Sequence, residues 1–98
     1  MDESPTQLSN VVSFEIPAYM DVDEFCSRIR PRWPGSQVRE PGIWNVSARF
    51  RKTRNDLALL LRTVEAYVAE AELQAIRYQL DGRFYILEAE ALDRVAAL

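Results

Sequence analysis

Two periodic patterns adjoin in residues 55–89, which read NDLALLLRTVEAYVAEAELQAIRYQLDGRFYILEA. In the first part, apolar residues recur every three or four positions, which is the period of one helix face. The pattern predicts a single amphipathic helix from about Asn55 to Leu73, with Thr53 or Asn55 as its N-cap. The apolar face of this helix consists of Leu57, Leu60, Leu61, Val64, Tyr67, Val68 and Ala71.

The second part of this stretch predicts a β-hairpin. Residues 75–80 and 83–89 alternate between apolar and polar side chains, and Asp81-Gly82 separates the two runs. Asp-Gly suits a two-residue hairpin turn because both turn positions require a positive φ. The register that follows pairs Leu80 with Arg83, Tyr78 with Tyr85 and Ile76 with Leu87.

Shorter runs predict the remaining elements. They are a strand over residues 11–16, a helix over residues 22–30, strands over residues 37–40 and 43–50, and one or two helical turns in residues 90–98. Asp21 with Glu24 resembles a capping box at the start of the first helix, and Pro31 stops that helix.

The resulting order is strand, helix, strand, strand, helix, strand, strand. Over about residues 11–87 it resembles the βαββαβ arrangement of the ferredoxin-like sandwich. The resemblance implies an antiparallel sheet of order 4-1-3-2, with the fifth strand as an extra C-terminal strand beside the fourth and two helices on one face. We therefore expect an α+β protein, with a flexible N-terminal tail at residues 1–10 and one domain at residues 11–98. The expected core is Val12, Phe14, Ile16, Phe25, Ile29, Trp44, Val46, Phe50, Leu57, Leu60, Leu61, Val64, Val68, Ile76 and Tyr78.

Composition limits the chemistry that this chain can perform. It has no histidine and one cysteine, Cys26, which excludes a Ser-His-Asp triad, a histidine-ligated metal and a structural zinc site. We expect no cofactor, no metal and no catalytic residue, although an enzyme that uses tyrosine, arginine or carboxylates remains open. The lone cysteine, the polar start and the absence of an apolar run of about 20 residues indicate a cytoplasmic protein without a membrane association.

Charge is distributed very unevenly along the chain. The net charge is −3, but residues 28–54, here called the basic segment, hold eight of the twelve basic residues and a single acid, Glu40. Eleven of the twelve bases are arginine, which fits either the composition of a GC-rich bacterial genome or selection for bidentate anion contacts. The segment suggests an anionic partner.

Part of the basic segment is expected to form a binding surface. The predicted contact residues for an acidic partner surface are Arg49, Arg51, Lys52, Arg54, Arg32 and Trp33. Helix N-termini favour anions, and several of these residues adjoin the start of the second helix. Alternatively, the bases are solvated or paired with Asp21, Asp23 and Glu24, and Trp33 closes the core.

The sheet face opposite the helices is expected to be partly apolar. Ile43, Phe84 and Ile86 would lie on it together with Val11, and such patches often mark partner surfaces. The interpretations are a homodimer that covers this face or coverage by residues 90–98 of the same chain.

Three functional hypotheses follow from these patterns. The first is a small non-catalytic protein-interaction or regulatory module that binds an acidic protein surface, self-associates, or both. The second is an enzyme or small-ligand-binding protein of the dimeric α+β barrel type. The third is a nucleic-acid-binding module, which is weakened because the open face lacks the aromatic pattern of RNA-recognition domains.

Overall fold

The computed structural model describes residues 10–88, except for the side chain of Arg54. In this range the chain forms β1 (Val11–Pro17), α1 (Val22–Ile29), β2 (Gln37–Glu40), β3 (Ile43–Arg49), α2 (Arg54–Glu70), β4 (Ala75–Leu80) and β5 (Arg83–Glu88). The predicted α+β class, with two helices and an antiparallel sheet, is confirmed. The predicted tail, apart from Asn10, and the predicted helical turns in residues 90–98 lie outside the described residues.

The five strands form one antiparallel sheet in the order β2-β3-β1-β4-β5. The central strand β1 alternates along its length, so that Val12, Phe14 and Ile16 are fully buried while their neighbours are partly exposed. The buried side chains face α1 and α2, which gives the sheet one covered face and one open face. Within the described residues, β2 and β5 are the two edges of the sheet.

The hairpin of β4 and β5 has the predicted register. Leu80 pairs with Arg83 and Tyr78 with Tyr85. Asp81 has a φ of 54° and Gly82 a φ of 78°, as a two-residue turn requires. The Asp-Gly signal therefore determined this register correctly.

Side chains cap the first turn of each helix. Asp21 caps α1, because its Oδ1 accepts hydrogen bonds from the backbone N–H groups of Asp23 and Glu24 at 3.1 and 3.2 Å. Thr53, rather than Asn55, caps α2, because its Oγ1 accepts from the N–H of Asp56 at 3.2 Å. Both caps satisfy N–H groups that have no partner inside the helix.

Helix α2 ends at Glu70, three residues before the predicted end. Glu72 adopts a left-handed φ of 61°, and its N–H donates to the carbonyl of Ala69 at 3.1 Å. The N–H of Leu73 donates to the carbonyl of Val68 at 3.0 Å. These two bonds form a Schellman motif, which usually has glycine at the left-handed position. The helix end gave no sequence signal because glutamate occupies that position here.

Aromatic rings form the centre of the core between the sheet and the helices. Phe14 on β1 meets Phe25 on α1 with ring centroids 5.9 Å apart, and Phe25 meets Tyr67 on α2 at 5.0 Å. Most of the predicted core is buried, whereas Trp44, Leu57, Leu61 and Tyr78 are partly buried and pack against its margin. Five further residues are buried that the expected core list omitted, namely Val22, Cys26, Trp33, Ala48 and Tyr67. No helix in residues 10–88 is both long and apolar enough to cross a bilayer.

Candidate functional site

Arg28 in the basic segment connects the two helices. Its Nη2 lies 2.6 Å from Glu70 Oε1 on α2 and 3.2 Å from Glu24 Oε2 on α1. The hydrogen bond to Glu70 is the main cause of the raised pKa of Arg28, and the same bond lowers the pKa of Glu70. Arg28 is therefore paired with one acid on each helix.

Arg30 holds the loop after α1 against β3. Its guanidinium donates to the carbonyl oxygens of Ser36 and Ser47, both at 3.0 Å, and to that of Trp33 at 3.3 Å. The loop lies so close to β3 that a Cβ on Gly35 would stand 2.0 Å from the Ser47 oxygen. A larger residue than glycine would clash with β3 at position 35. Arg30 has a structural role because its guanidinium bonds to backbone carbonyls of the loop and of β3.

Arg39 lies away from the other arginines of the segment. It is on β2, and its guanidinium stands 5.5 Å from the ring centroid of Trp44 at the start of β3. Arg49 is at the far end of β3, about 17 Å away at the usual rise per strand residue. The basic segment is consequently not one continuous surface.

Two of the remaining basic residues, Arg32 and Arg51, lie beside a buried carboxylate. Asp56 is 7% exposed, and its Oδ2 accepts from the indole N–H of Trp33 at 3.1 Å and from the backbone N–H of Arg51 at 2.7 Å. Its Oδ1 lies 3.6 Å from Arg32 Nε. The bond from the Arg51 N–H is the largest cause of the lowered pKa of Asp56, and the Trp33 bond and the nearby arginine charges act in the same direction. The carboxylate thus stays charged inside the protein.

The structure places Trp33 in the core, with 3% of its surface exposed. Its assignment as an exposed partner contact is wrong in this structure, because its ring packs inward and its N–H is bonded to Asp56. The alternative, that Trp33 closes the core, is confirmed. Arg32 covers the ring, with its guanidinium carbon 5.4 Å from the ring centroid.

Asp56 itself was missed from the sequence. The available signal was the spacing of Thr53 and Asp56, which matches the capping-box pattern with Asp in place of Glu. The carboxylate accepts from Arg51 rather than from the capping residue. Because Asp56 accepts from both the Arg51 N–H and the Trp33 indole, it holds the chain between β3 and α2 against Trp33.

Four exposed cations lie at this end of the sheet, and we call Arg32, Arg49, Arg51 and Lys52 the basic rim. Arg32 and Arg51 contact the buried carboxylate. The N–H of Arg49 donates to the carbonyl of Pro34 at 2.7 Å, which places the end of β3 beside the loop that carries Arg32. The side chain of Arg54, which was predicted to belong to the same contact, is outside the described part of the chain. A surface pocket of about 370 Å³ adjoins Arg49 and is lined by Val11, Pro34, Gly35, Ser36 and Ser47.

The rim carries more charge than its surroundings neutralise. Within residues 10–88, one ion pair involves a rim residue, the 3.6 Å contact between Arg32 Nε and Asp56 Oδ1. The side chain of Arg32 is still 61% exposed despite this contact. An anionic group that approaches this end of the sheet meets guanidinium and ammonium groups that are accessible to it.

The open face of the sheet carries a central ion pair. Arg77 on β4 donates to both carboxylate oxygens of Glu15 on β1, at 3.0 and 2.9 Å. The same guanidinium stands 4.3 Å from the ring centroid of Phe84. Phe84 is 53% and Ile86 60% exposed on this face.

The predicted self-association residues are separated across the sheet. Phe84 and Ile86 lie together on the edge strand β5, whereas Ile43 lies on β3 and is partly buried. Strands β1 and β4 stand between them, which is roughly 14 Å at the usual strand spacing. The structure therefore joins two of the three residues into one patch.

The described residues contain few groups suited to catalysis. Cys26 is buried, its thiol donates to Gln37 Oε1 at 3.0 Å, and burial raises its pKa. Burial likewise raises the pKa of Tyr67 and of Tyr78. No cluster of three metal-ligating side chains occurs in the part of the chain that the structure describes.

Comparisons with protein-family models, with curated proteins and with solved structures found no match to this chain.

Proposed function

We propose that this protein is a non-catalytic interaction module that binds an acidic protein surface through the basic rim. The observation that carries the proposal is the presence of four exposed cations, Arg32, Arg49, Arg51 and Lys52, at one end of the sheet, where the Arg49 N–H donates to Pro34 and the Arg51 N–H to Asp56. The protein as a whole is acidic, with a net charge of −3, so this local excess of positive charge is not a consequence of composition.

The rim is held in a fixed position by the contacts beneath it. Asp56 joins the loop that carries Trp33 to the backbone of Arg51, and it does so at the first turn of α2. The cations thus project from anchored backbone rather than from a free loop. Anchoring lowers the ordering cost of binding, and exposed cations accelerate the encounter with an acidic partner.

A protein partner is favoured over nucleic acid by the surface around the rim. Trp33 is buried and so offers no ring for a base to stack on. The central strands present Ser13, Glu15 and Asn45 on the open face, where RNA-recognition domains carry aromatic residues. Glu15 also adds negative charge to that face.

We also propose a ferredoxin-like fold and a cytoplasmic location for this protein. The element order and the strand order of residues 11–88 support a ferredoxin-like sandwich with an added edge strand β5. The single cysteine is buried and free, which supports a reducing compartment such as the cytoplasm.

Charge reversal tests the proposal. The probe is a fluorescently labelled poly-glutamate peptide of about 20 residues, and its affinity for the protein is measured by anisotropy at several salt concentrations. The double variant Arg49→Glu and Arg51→Glu should abolish binding and leave the melting temperature nearly unchanged, because both side chains are exposed.

The matched control reverses two exposed arginines outside the rim, Arg62→Glu and Arg83→Glu. This control changes the net charge equally and should retain most of the affinity. If both double variants lose the same affinity for poly-glutamate, binding depends on net charge and not on the rim. Tighter binding of a single-stranded oligonucleotide than of poly-glutamate, with a steeper salt dependence, would favour nucleic acid as the partner.

A further inference from the structure

The pocket beside Arg49 lies where the loop before β2 runs along β3. The N–H groups of Ser47 and Arg49 donate to the carbonyls of Ser36 and Pro34 at 2.8 and 2.7 Å. Val11, which also lines the pocket, is paired with Arg49 across β1 and β3. The pocket is therefore built from backbone that is bonded to the sheet, and its shape does not depend on a free loop.

The lining of the pocket carries one positive charge and no negative charge. Arg49 is its only charged residue, and the side chain is exposed. None of the ion pairs found in residues 10–88 includes Arg49. A guanidinium binds a carboxylate through two parallel N–H bonds, so Arg49 is suited to hold such a group at the pocket.

Two serine hydroxyls in the lining supply a further donor. Ser36 Oγ and Ser47 Oγ are 3.0 Å apart, and Ser47 Oγ also accepts from the Ser36 N–H at 3.0 Å. The two hydroxyls have two hydrogens, of which their mutual bond uses one. When Ser47 donates to Ser36, the Ser36 hydroxyl hydrogen is left for a ligand. The competing bond, from Ser47 Oγ to the Ser36 carbonyl, is 3.5 Å long and hence weak.

The rest of the lining is apolar, and the space is limited. Val11 and Pro34 contribute hydrocarbon surface beside Arg49 and the two serines. The volume of about 370 Å³ is at the lower end of the range of roughly 300–1,000 Å³ for small-ligand sites. A ligand that matches this lining has a short hydrocarbon stem and one anionic end.

We propose that the pocket receives a glutamate side chain of the acidic partner. The carboxylate binds Arg49 and the Ser36 hydroxyl, and the methylene groups lie against Val11 and Pro34. This inference rests on the proposed function, because it names the group that the basic rim attracts to this end of the sheet.

The charge and the hydrocarbon surface of the pocket select this side chain. The single positive charge of the lining balances a carboxylate, whereas a phosphate monoester carries about −1.5 to −2 at neutral pH. Aspartate has one methylene group fewer than glutamate and reaches less far into the pocket, so its binding comes mainly from the charge of the rim. One buried methylene corresponds to about fourfold in affinity, and a hydrogen bond to a charged group to about tenfold or more.

Two peptides of equal length and charge, labelled poly-glutamate and poly-aspartate, test the inference by anisotropy. The wild type should bind poly-glutamate about four- to tenfold more tightly than poly-aspartate. Ser36→Ala and Arg49→Gln should each bring this ratio close to one. Both side chains are exposed, so both variants should fold, which their melting temperatures check.

Each variant has a matched control outside the pocket. Ser13→Ala makes the same change as Ser36→Ala at the residue paired with Ser47 on β1, and it should keep the ratio. Arg51→Gln removes one charge from the rim, as Arg49→Gln does, but Arg51 does not line the pocket. It should weaken the binding of both peptides alike and keep the ratio.

The outcomes separate this inference from the proposed function. Equal affinity of the wild type for the two peptides would overturn the inference and leave the rim as a charged binding surface. A ratio that persists in Ser36→Ala and Arg49→Gln would overturn it too. If neither peptide binds, both the inference and the proposed function are wrong. If replacement of one glutamate by phosphoserine tightens binding in the wild type but not in Arg49→Gln, the pocket is a phosphate site and the assignment to glutamate is wrong.

Discussion

Replacing Asp56 by alanine should lower the free energy of unfolding by about 3 kcal/mol. The carboxylate accepts two hydrogen bonds, from the Trp33 indole and from the Arg51 backbone, and a bond to a charged group contributes about 1.5–3 kcal/mol. Water recovers part of this loss at Arg51, which lies at the surface, but not at Trp33, which is buried. For a chain of 98 residues, this loss corresponds to a fall of roughly 12–20 °C in the melting temperature.

Asp56→Asn separates the hydrogen bonds from the charge. The amide oxygen can replace Oδ2, which accepts both bonds, so Trp33 and Arg51 keep their partner. What is lost is the charge on these bonds and the 3.6 Å contact with Arg32, whose side chain is 61% exposed. We expect a loss of about 1 kcal/mol, a third of the alanine effect.

The pH dependence of unfolding distinguishes the two variants from the wild type. The pKa of Asp56 is lowered in the folded protein, so its carboxylate stabilises the fold fully above the unfolded-state pKa of about 3.9. That contribution is lost as the pH falls through the lower folded-state pKa. The difference in free energy of unfolding between the wild type and Asp56→Asn should therefore shrink as the pH falls below about 4.

Urea unfolding at several pH values, followed by tryptophan fluorescence, measures these differences. Trp33 reports directly on the site because its indole donates to Asp56, so its emission should shift in Asp56→Ala. A typical surface substitution changes the free energy of unfolding by about 0.5 kcal/mol or less. If Asp56→Ala costs no more than that, the reasoning is refuted. An Asp56→Asn variant whose stability falls with acid as steeply as that of the wild type would refute it as well.

Three further predictions concern other contacts, all measured by urea unfolding. Gly35→Ala should cost about 3 kcal/mol or prevent folding, because the new Cβ would stand 2.0 Å from the Ser47 oxygen; a neutral result would mean that the loop is not against β3. Glu72→Gly should stabilise by about 0.5–1 kcal/mol, since glycine adopts the left-handed φ of 61° without strain, whereas destabilisation would argue against the Schellman motif. Arg77→Ala should cost under about 1 kcal/mol, because its pair with Glu15 is exposed, and a larger cost would indicate that something covers the open face.

Much of the architecture was predictable because local signals agreed with the tertiary contacts. The Asp81-Gly82 turn determines its own register by backbone geometry, and the alternation in β1 assigns its buried face correctly. The core position of Phe25 followed from helical spacing. These features depend on neighbours within a few residues, which a sequence displays directly.

The site was less predictable because its contacts join residues far apart in the sequence. Asp56 meets Trp33 across 23 positions, and no local pattern indicates that bond. The basic segment looks continuous in sequence, yet Arg28 is paired with Glu70 and Arg30 is bonded to backbone carbonyls. Only the fold separates the arginines that hold the structure from those that remain exposed.

The most direct test of the basic rim as a binding surface is an NMR titration of the labelled protein with the poly-glutamate peptide. Amide shift changes should concentrate at residues 49–53 and around Arg32, and they should vanish in the Arg49→Glu and Arg51→Glu variant. Shift changes centred on Arg77 and Arg83, or no changes at low salt, would contradict the account.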